Sequence, residues 1–254
     1  MDKPAGHILI VSDNLGLLKQ FHSLVEHKQY SEYNFTYRIS PFSDLAEFQA
    51  QLNFSVEAID MRDSESIQNL AETYALIFSV HCKQLFPKEL IDRVKCINVH
   101  PGYNPVNRGW YPQAFALVHD LPIGATIHEI DEQLDHGRII DRQLVEKDPD
   151  DTSLTLYNKV VKAEIHLLEK NLLRILQGNY VSYEDHENEH LFLKEDFNQL
   201  KKLDLEEVDT LGNFVNKLRA LTHGDFKNAY YTDSQTGEKI FVRIELEREH
   251  RRSN

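Results

Sequence analysis

Cysteine, tryptophan, glycine and positive charge are all scarce in this chain of 254 residues, and each shortage closes off a class of function. With only two cysteines, Cys82 and Cys96, no disulfide framework holds the fold. Both sit at the ends of apolar strands and read as free thiols in a reducing, cytosolic compartment. Lysine and arginine number 28 against 41 aspartates and glutamates, a formal charge of −13. Binding a polyanion depends on cations that neutralise its phosphates, so nucleic acid is excluded as a partner. A tRNA substrate is excluded in particular, because no basic domain follows the core. Nowhere do about 18 apolar residues run together, as a membrane span requires, and the apolar run Ile8 to Val11 is too short for a signal peptide core. The turn Ser12-Asp13-Asn14-Leu15-Gly16 carries a single glycine. A dinucleotide pyrophosphate needs a close-approach cluster of them, so a nicotinamide cofactor is excluded.

What the chain does contain is alternation of strand and helix patterns. His7 to Ser12 reads as a buried strand and Leu15 to His27 as an amphipathic helix, the opening unit of a Rossmann-like sheet. Strands follow at Phe35 to Ile39 and Val56 to Met61, with helices at Asp44 to Leu52 and Ser64 to Thr73. Ala75 to Val80 is apolar throughout, which suits the centre of a parallel sheet. Thr155 to Leu176 predicts a long amphipathic helix ended by Gly178. A polar, acidic connection leads to a second helix at Thr210 to Leu221 and a hairpin formed by Ala229 to Asp233 and Lys239 to Glu247. The expected fold class is α/β: a mostly parallel Rossmann-like sheet over residues 1–185, and a small C-terminal subdomain of helix and hairpin over residues 186–254. A lone hairpin is marginal in water, so the alternating Ile240, Val242, Ile244 and Leu246 predict a homodimer built on it.

The densest chemistry lies between Lys95 and Tyr111. Lys95 to His100 reads as a short buried strand stopped by Pro101-Gly102. Side chains alternate across a strand, so Asn98 and His100 share one face while Ile97 and Val99 take the other. Two polar side chains at the carboxyl end of a core strand occupy the place where open α/β sheets bind ligands. The following loop, Gly102 to Tyr111, is too rich in Asn, Pro and Gly to be regular, and Pro112 opens a helix through Val118.

A second stretch, Ile123 to Ile140, is an alternating strand, a turn carrying Asp135 and Gly137, and another strand. The Asn98-x-His100-Pro101 pattern, together with Gly124-x-Thr126 and the downstream Ile130-Asp131, Leu134-Asp135 and Gly137, resembles the formyltransferases that use N10-formyltetrahydrofolate. The intervening Asn104-Pro105-Val106-Asn107-Arg108-Gly109-Trp110-Tyr111 is most similar to the branch acting on dTDP-linked 4-amino-4,6-dideoxy sugars. The resemblance covers roughly residues 75 to 180 and implies Asn98, His100 and Asp135 as the catalytic set. It implies transfer of a formyl group to a nucleotide-linked amino sugar, giving a formamido sugar for surface glycan (O-antigen) synthesis. On the folate side it implies Gln84, Leu85, Phe86, Asp131 and Gly137. On the acceptor side the candidates are Asn14, Tyr103, Asn104 and Trp110, with Lys83, Arg108 and Arg219 as the local basic cluster that a diphosphate needs in a chain of net charge −13.

Several of these residues have a second reading. Phe86 either touches the pterin or packs under the helix that starts at Pro87. Trp110 either walls the sugar pocket or braces its loop. Arg108 either meets the diphosphate through its planar fork or pairs with one of the many carboxylates. Formyl transfer needs a donor aimed at the developing oxyanion and a base poised near neutral pH. Asn98 and His100 supply those groups, with Asp135 orienting His100; which of His100 and Asp135 takes the amine proton first stays open. Other amine acceptors (a 3-amino sugar, a UDP-amino sugar, glycinamide ribonucleotide) are alternatives within the class. A non-catalytic folate- or nucleotide-sugar-binding module is the alternative outside it. His186-Glu187-Asn188-Glu189-His190 matches the zinc-protease pattern, but no helical apolar stripe carries it, and no metal is expected.

Overall fold

The computed structural model describes residues 6–27 and 30–249; the remaining parts of both expected subdomains lie outside the described residues. In chain order the elements are β1 (His7–Val11), α1 (Leu15–His27), β2 (Asn34–Ile39), α2 (Leu45–Gln51), β3 (Glu57–Ala58), α3 (Ser64–Thr73), β4 (Leu76–Val80), α4 (Lys88–Ile91) and β5 (Lys95–His100). There follow β6 (Arg108–Gly109), α5 (Pro112–Val118), β7 (Ile123–Glu129), β8 (Ile139–Val145), α6 (Ser153–Leu176), β9 (Leu191–Phe192), α7 (Lys194–Leu200), α8 (Leu211–Leu221), β10 (Tyr230–Thr232) and β11 (Lys239–Phe241).

Seven strands form the main sheet in the order β3-β2-β1-β4-β5-β7-β8. The first five run parallel; β7 is antiparallel to β5, and β8 is antiparallel to β7. The central strand β4 is buried at every position, as its uninterrupted apolar run requires. Parity then divides the core. Ile8, Ile10, Phe78, Ile97, Val99, Ala125 and Ile127 face α1 and α6, whereas Leu9, Val11, Ile77 and Cys96 pack with α3 and α4. Local signals set the helix ends. Asp63 caps α3 by accepting from the Ser66 N–H, and Thr152 with Thr155 forms a reciprocal cap on α6.

Three regions differ from the sequence reading. The strand expected over Val56 to Met61 pairs only at Glu57–Ala58, because Gln84 bridges to the Ile59 carbonyl and the Met61 N–H and takes over the backbone groups beyond it. The second hairpin strand stops at Phe241. Past it Val242, Ile244 and Leu246 alternate as half-buried positions, and Val242 packs on the chain's own core. The acidic connection contains β9, which pairs in parallel with β6 inside the Gly102–Tyr111 loop. Helix α8 packs on α5 and α6, and its Ala220 and Leu221 join the principal core.

Candidate active site

Strand parity and an antiparallel neighbour build the site. In the β5–β7 register Asn98 lies opposite His128, and His100 opposite Thr126. The Thr126 hydroxyl donates to the Gly102 carbonyl at 2.7 Å and accepts the Asn104 N–H at 3.0 Å, pinning the start of the irregular loop over the end of β5. Gly102 has to be glycine: a Cβ there would lie 2.4 Å from His100 Nε2 and 2.5 Å from the Asn107 carbonyl oxygen. Those two atoms are joined by a 2.8 Å hydrogen bond. Gly102→Ala should therefore lower thermal stability by about 1–3 kcal/mol, the usual cost of overpacking, and cut activity by displacing His100; an unchanged melting temperature and rate would contradict this.

Asp135 arrives from the β7–β8 turn in the left-handed region, φ 49°, a conformation that asparagine and aspartate tolerate better than most residues. One carboxylate oxygen accepts Asn98 Nδ2 at 2.9 Å, and the other accepts the Gly109 N–H at 3.0 Å. Its backbone carbonyl takes Asn104 Nδ2 at 2.8 Å. His100 Nδ1 stands 3.5 Å from Oδ2. Because His100 Nε2–H is spent on the Asn107 carbonyl, Nδ1 of the neutral ring carries the lone pair that faces the site. Burial lowers the pKa of His100, although the charge of Asp135 opposes it. Burial works to raise Asp135, but the facing histidines and the Gly109 N–H outweigh it and hold the carboxyl down to about 2.

Sequence reasoning missed His128. Its Nδ1–H donates to the Glu129 carbonyl at 2.7 Å, which leaves Nε2 to accept Asn98 Nδ2 at 3.2 Å. Asn98 thus uses one amide proton on Asp135 and shares the other with His128. The alternation of β7 carried the signal, since Thr126 and His128 fall on the same face as their partners in β5.

The structure separates the folate-side candidates. Leu85 is 71% exposed and Asp131 half-exposed, both at loop rims. Phe86 is buried in the core, and Gln84 is spent on backbone groups of the β3 segment. Gly137 allows close backbone approach, because a Cβ would meet the Glu129 carbonyl at 1.9 Å. On the acceptor side Arg108 is turned inward, donating to the Leu134 carbonyl at 2.9 Å and pairing with Glu189. Arg219 is also buried, on the carbonyls of Asp148 and Asp151. Lys83 alone of the three cations is exposed. Tyr103 stacks under the Arg142 guanidinium, 4.4 Å from ring centre to Cζ. Trp110 lies beside Tyr111, with the Lys194 ammonium over its ring. Asn104 is buried against Asp135, and its Oδ1, like Asn107 Nδ2, has no hydrogen-bond partner among the described residues. Asn14 points at Tyr157.

Cys82 offers no nucleophile, since burial pushes its thiol up to about 12. His186 and His190 sit outside any helix, so the one-turn spacing of a zinc-protease pair is not formed. No helix among the described residues is long and apolar enough to cross a membrane.

Comparison with known proteins points to one family. Residues 24–172 match the formyl transferase family, and residues 196–248 match the N-formyltransferase dimerization C-terminal domain. The chain is 46% identical over 186 residues to a dTDP-4-amino-4,6-dideoxyglucose formyltransferase of Mycobacterium tuberculosis, covering 73% of this chain and 79% of that protein. A sugar N-formyltransferase from Shewanella superposes with a TM-score of 0.90 at 36% identity, covering 95% of this chain and 98% of the other. A 4-N formyltransferase from Francisella tularensis superposes at 0.89 with 36% identity, covering 96% and 99%. With a core carrying Asn98, His100 and Asp135 at the carboxyl end of its sheet, and a match that spans more than half its length, this chain belongs to the formyl transferase family.

Proposed function

We propose that the protein transfers a formyl group from N10-formyltetrahydrofolate to the amine of a nucleotide-linked amino sugar, dTDP-4-amino-4,6-dideoxyglucose. The observation that carries the chemistry is the Asp135 carboxylate, bonded to Asn98 and faced by the free Nδ1 of His100. The named relative at 46% identity supports the acceptor. The exposed Leu85 beside buried Phe86 suits the docking of a flat ring on the loop after β4. In the reaction the neutral sugar amine bonds to the formyl carbon. The N–H that Asn98 shares with His128 turns to the oxyanion, exchanging a 3.2 Å bond for one to full charge. His100 Nδ1 takes the amine proton, and Asp135 stabilises the imidazolium. As the bond from carbon to N10 breaks, that proton passes to the departing folate nitrogen. Asp135 is the weaker candidate for base, because a carboxylate held down to about 2 has little affinity for a proton near neutrality.

Mass spectrometry of a panel of amino-sugar nucleotides, 3-amino sugars, UDP-amino sugars and glycinamide ribonucleotide with formyl-folate tests the acceptor. The 4-amino dTDP sugar should gain one formyl group fastest; faster formylation of another amine would replace it. Activity should persist in EDTA, and loss that zinc reverses would overturn the metal-free reading. We also infer a cytosolic homodimer. It is supported by the dimerization-domain match over residues 196–248 and by exposed Leu205, Val208, Leu211, Phe226 and Phe241 in that region. Sedimentation at tens of micromolar should give twice the chain mass; a monomer would exclude it.

A further inference from the structure

The loop 102–111 supplies three of the hydrogen bonds that orient the proposed catalytic groups. Asn107 offers its carbonyl to His100 Nε2, Asn104 Nδ2 donates to the Asp135 carbonyl, and the Gly109 N–H donates to the Asp135 carboxylate. Within the loop only Arg108–Gly109 pair as a strand, so neighbouring elements have to hold the rest in place. Asn104, which is buried, is the joint. Thr126 on β7 accepts its N–H at 3.0 Å, and Arg142 Nη1 on β8 donates to its carbonyl at 2.5 Å. Its side chain bonds the turn between those two strands.

Arg142 is itself fixed from both sides. Its Nη2 lies 2.8 Å from Asp185 Oδ2, and the two side chains are only 20% and 19% exposed. Tyr103 lies under the guanidinium, 4.4 Å from ring centre to Cζ, and Tyr183 flanks it at 5.9 Å. The segment that carries Tyr183 and Asp185 is anchored in turn. Tyr183 exchanges two backbone hydrogen bonds, 2.8 and 2.9 Å, with Ile139 at the head of β8. Arginine suits this place because its planar fork reaches acceptors on two segments while its flat face stacks on aromatic rings. A lysine ammonium would bring the charge without the fork or the face. With both partners anchored and mostly out of water, the pair holds its geometry better than a free surface ion pair does.

We propose that Arg142 is a positioning residue for formyl transfer: through the Asn104 carbonyl it holds the loop 102–111 where Asp135 faces His100. This rests on the roles of His100 and Asp135 proposed above. Burial lowers the pKa of His100, the charge of Asp135 and the Asn107 carbonyl raise it, His128 lowers it and Glu164 raises it. A loop that shifts takes Asp135 and Asn107 away from the ring, so the rising limb of kcat/KM moves to lower pH. Loss of the Arg142 charge by itself acts the other way, since removing a nearby cation makes a histidine easier to protonate. The sign of the movement therefore separates positioning from charge. Arg142→Ala should lower kcat by a factor of about 10–10², the loss that a displacement of about 1 Å causes. It should also move the midpoint of the limb down by about one pH unit, the size of effect that a nearby opposite charge exerts. Arg142→Lys, which keeps the charge and removes the fork, should move it in the same direction, and takes the place of Arg142→Ala if that variant does not fold. A midpoint at or above the wild-type one in the folded variants, or a kcat within about two-fold of wild type, would overturn the positioning role alone. A wild-type limb that His100→Asn retains would remove the His100 reading and this one with it.

Discussion

Asn98→Ala should lower kcat by a factor of about 10²–10³, the usual loss for one oxyanion donor, while leaving the binding of either substrate nearly unchanged. Asn98 sits half-exposed on the polar face of β5, away from the apolar face that packs under α6, so the fold should survive. The truncation does more than remove a donor. It strips Asp135 Oδ1 of its 2.9 Å partner and His128 Nε2 of its 3.2 Å one, and part of the loss comes from the carboxylate then reorienting. Asn98→Asp should be worse still, since it sets a second carboxylate against Asp135. Steady-state and single-turnover rates separate the two effects. A kcat within a few-fold of wild type would show that the oxyanion is stabilised elsewhere.

His100→Asn should cost at least as much, because it deletes the proposed proton acceptor and the group that Asp135 faces. The pH dependence identifies the role. Burial lowers the pKa of His100, so the neutral, basic ring is the form present near neutrality. In wild type kcat/KM should rise with pH through a midpoint below the ordinary histidine value of about 6.5 and then level off. The variant should lose that limb, while any limb at higher pH from deprotonation of the acceptor amine is kept by both proteins. The same shift has a stability counterpart. With a folded-state pKa below the unfolded one, the unfolded chain binds the extra proton. The stability that His100 contributes is therefore present above about pH 6.5 and is lost as the pH falls toward the folded pKa. Chemical denaturation across that window should show wild type losing more stability on acidification than His100→Asn; parallel curves would contradict a buried neutral ring.

What the sequence disclosed, and what it hid, follows from the range of each interaction. Helix α5 and strand β7 were legible because Pro112 and period-two alternation are local signals. The face shared by Asn98 and His100 followed from parity alone. His128 was equally available by parity, but its importance lies in a cross-strand register that only the assembled β5–β7 pair supplies. Helix α7 escaped notice because Phe197 is its one buried side chain, so no stripe marks it. The β6–β9 pair is two residues long on each side and joins distant segments, and no periodicity can announce that. The fate of the cations was hidden for the same reason. An acidic chain offers every arginine a choice of carboxylates and carbonyls, and only the fold shows Arg108 turned to Leu134 and Glu189, and Arg219 to Asp148 and Asp151.

The central claim is that Asn98, His100 and Asp135 pass a formyl carbon from folate to a sugar amine. Its most direct test is to supply N10-formyltetrahydrofolate labelled at the formyl carbon, together with dTDP-4-amino-4,6-dideoxyglucose, and to follow the label by NMR in wild type and in folded His100→Asn. The account predicts that the label appears as a formamide on the sugar within the wild-type turnover time and stays on the folate in the variant. Label that reaches the sugar at a comparable rate in both would contradict it.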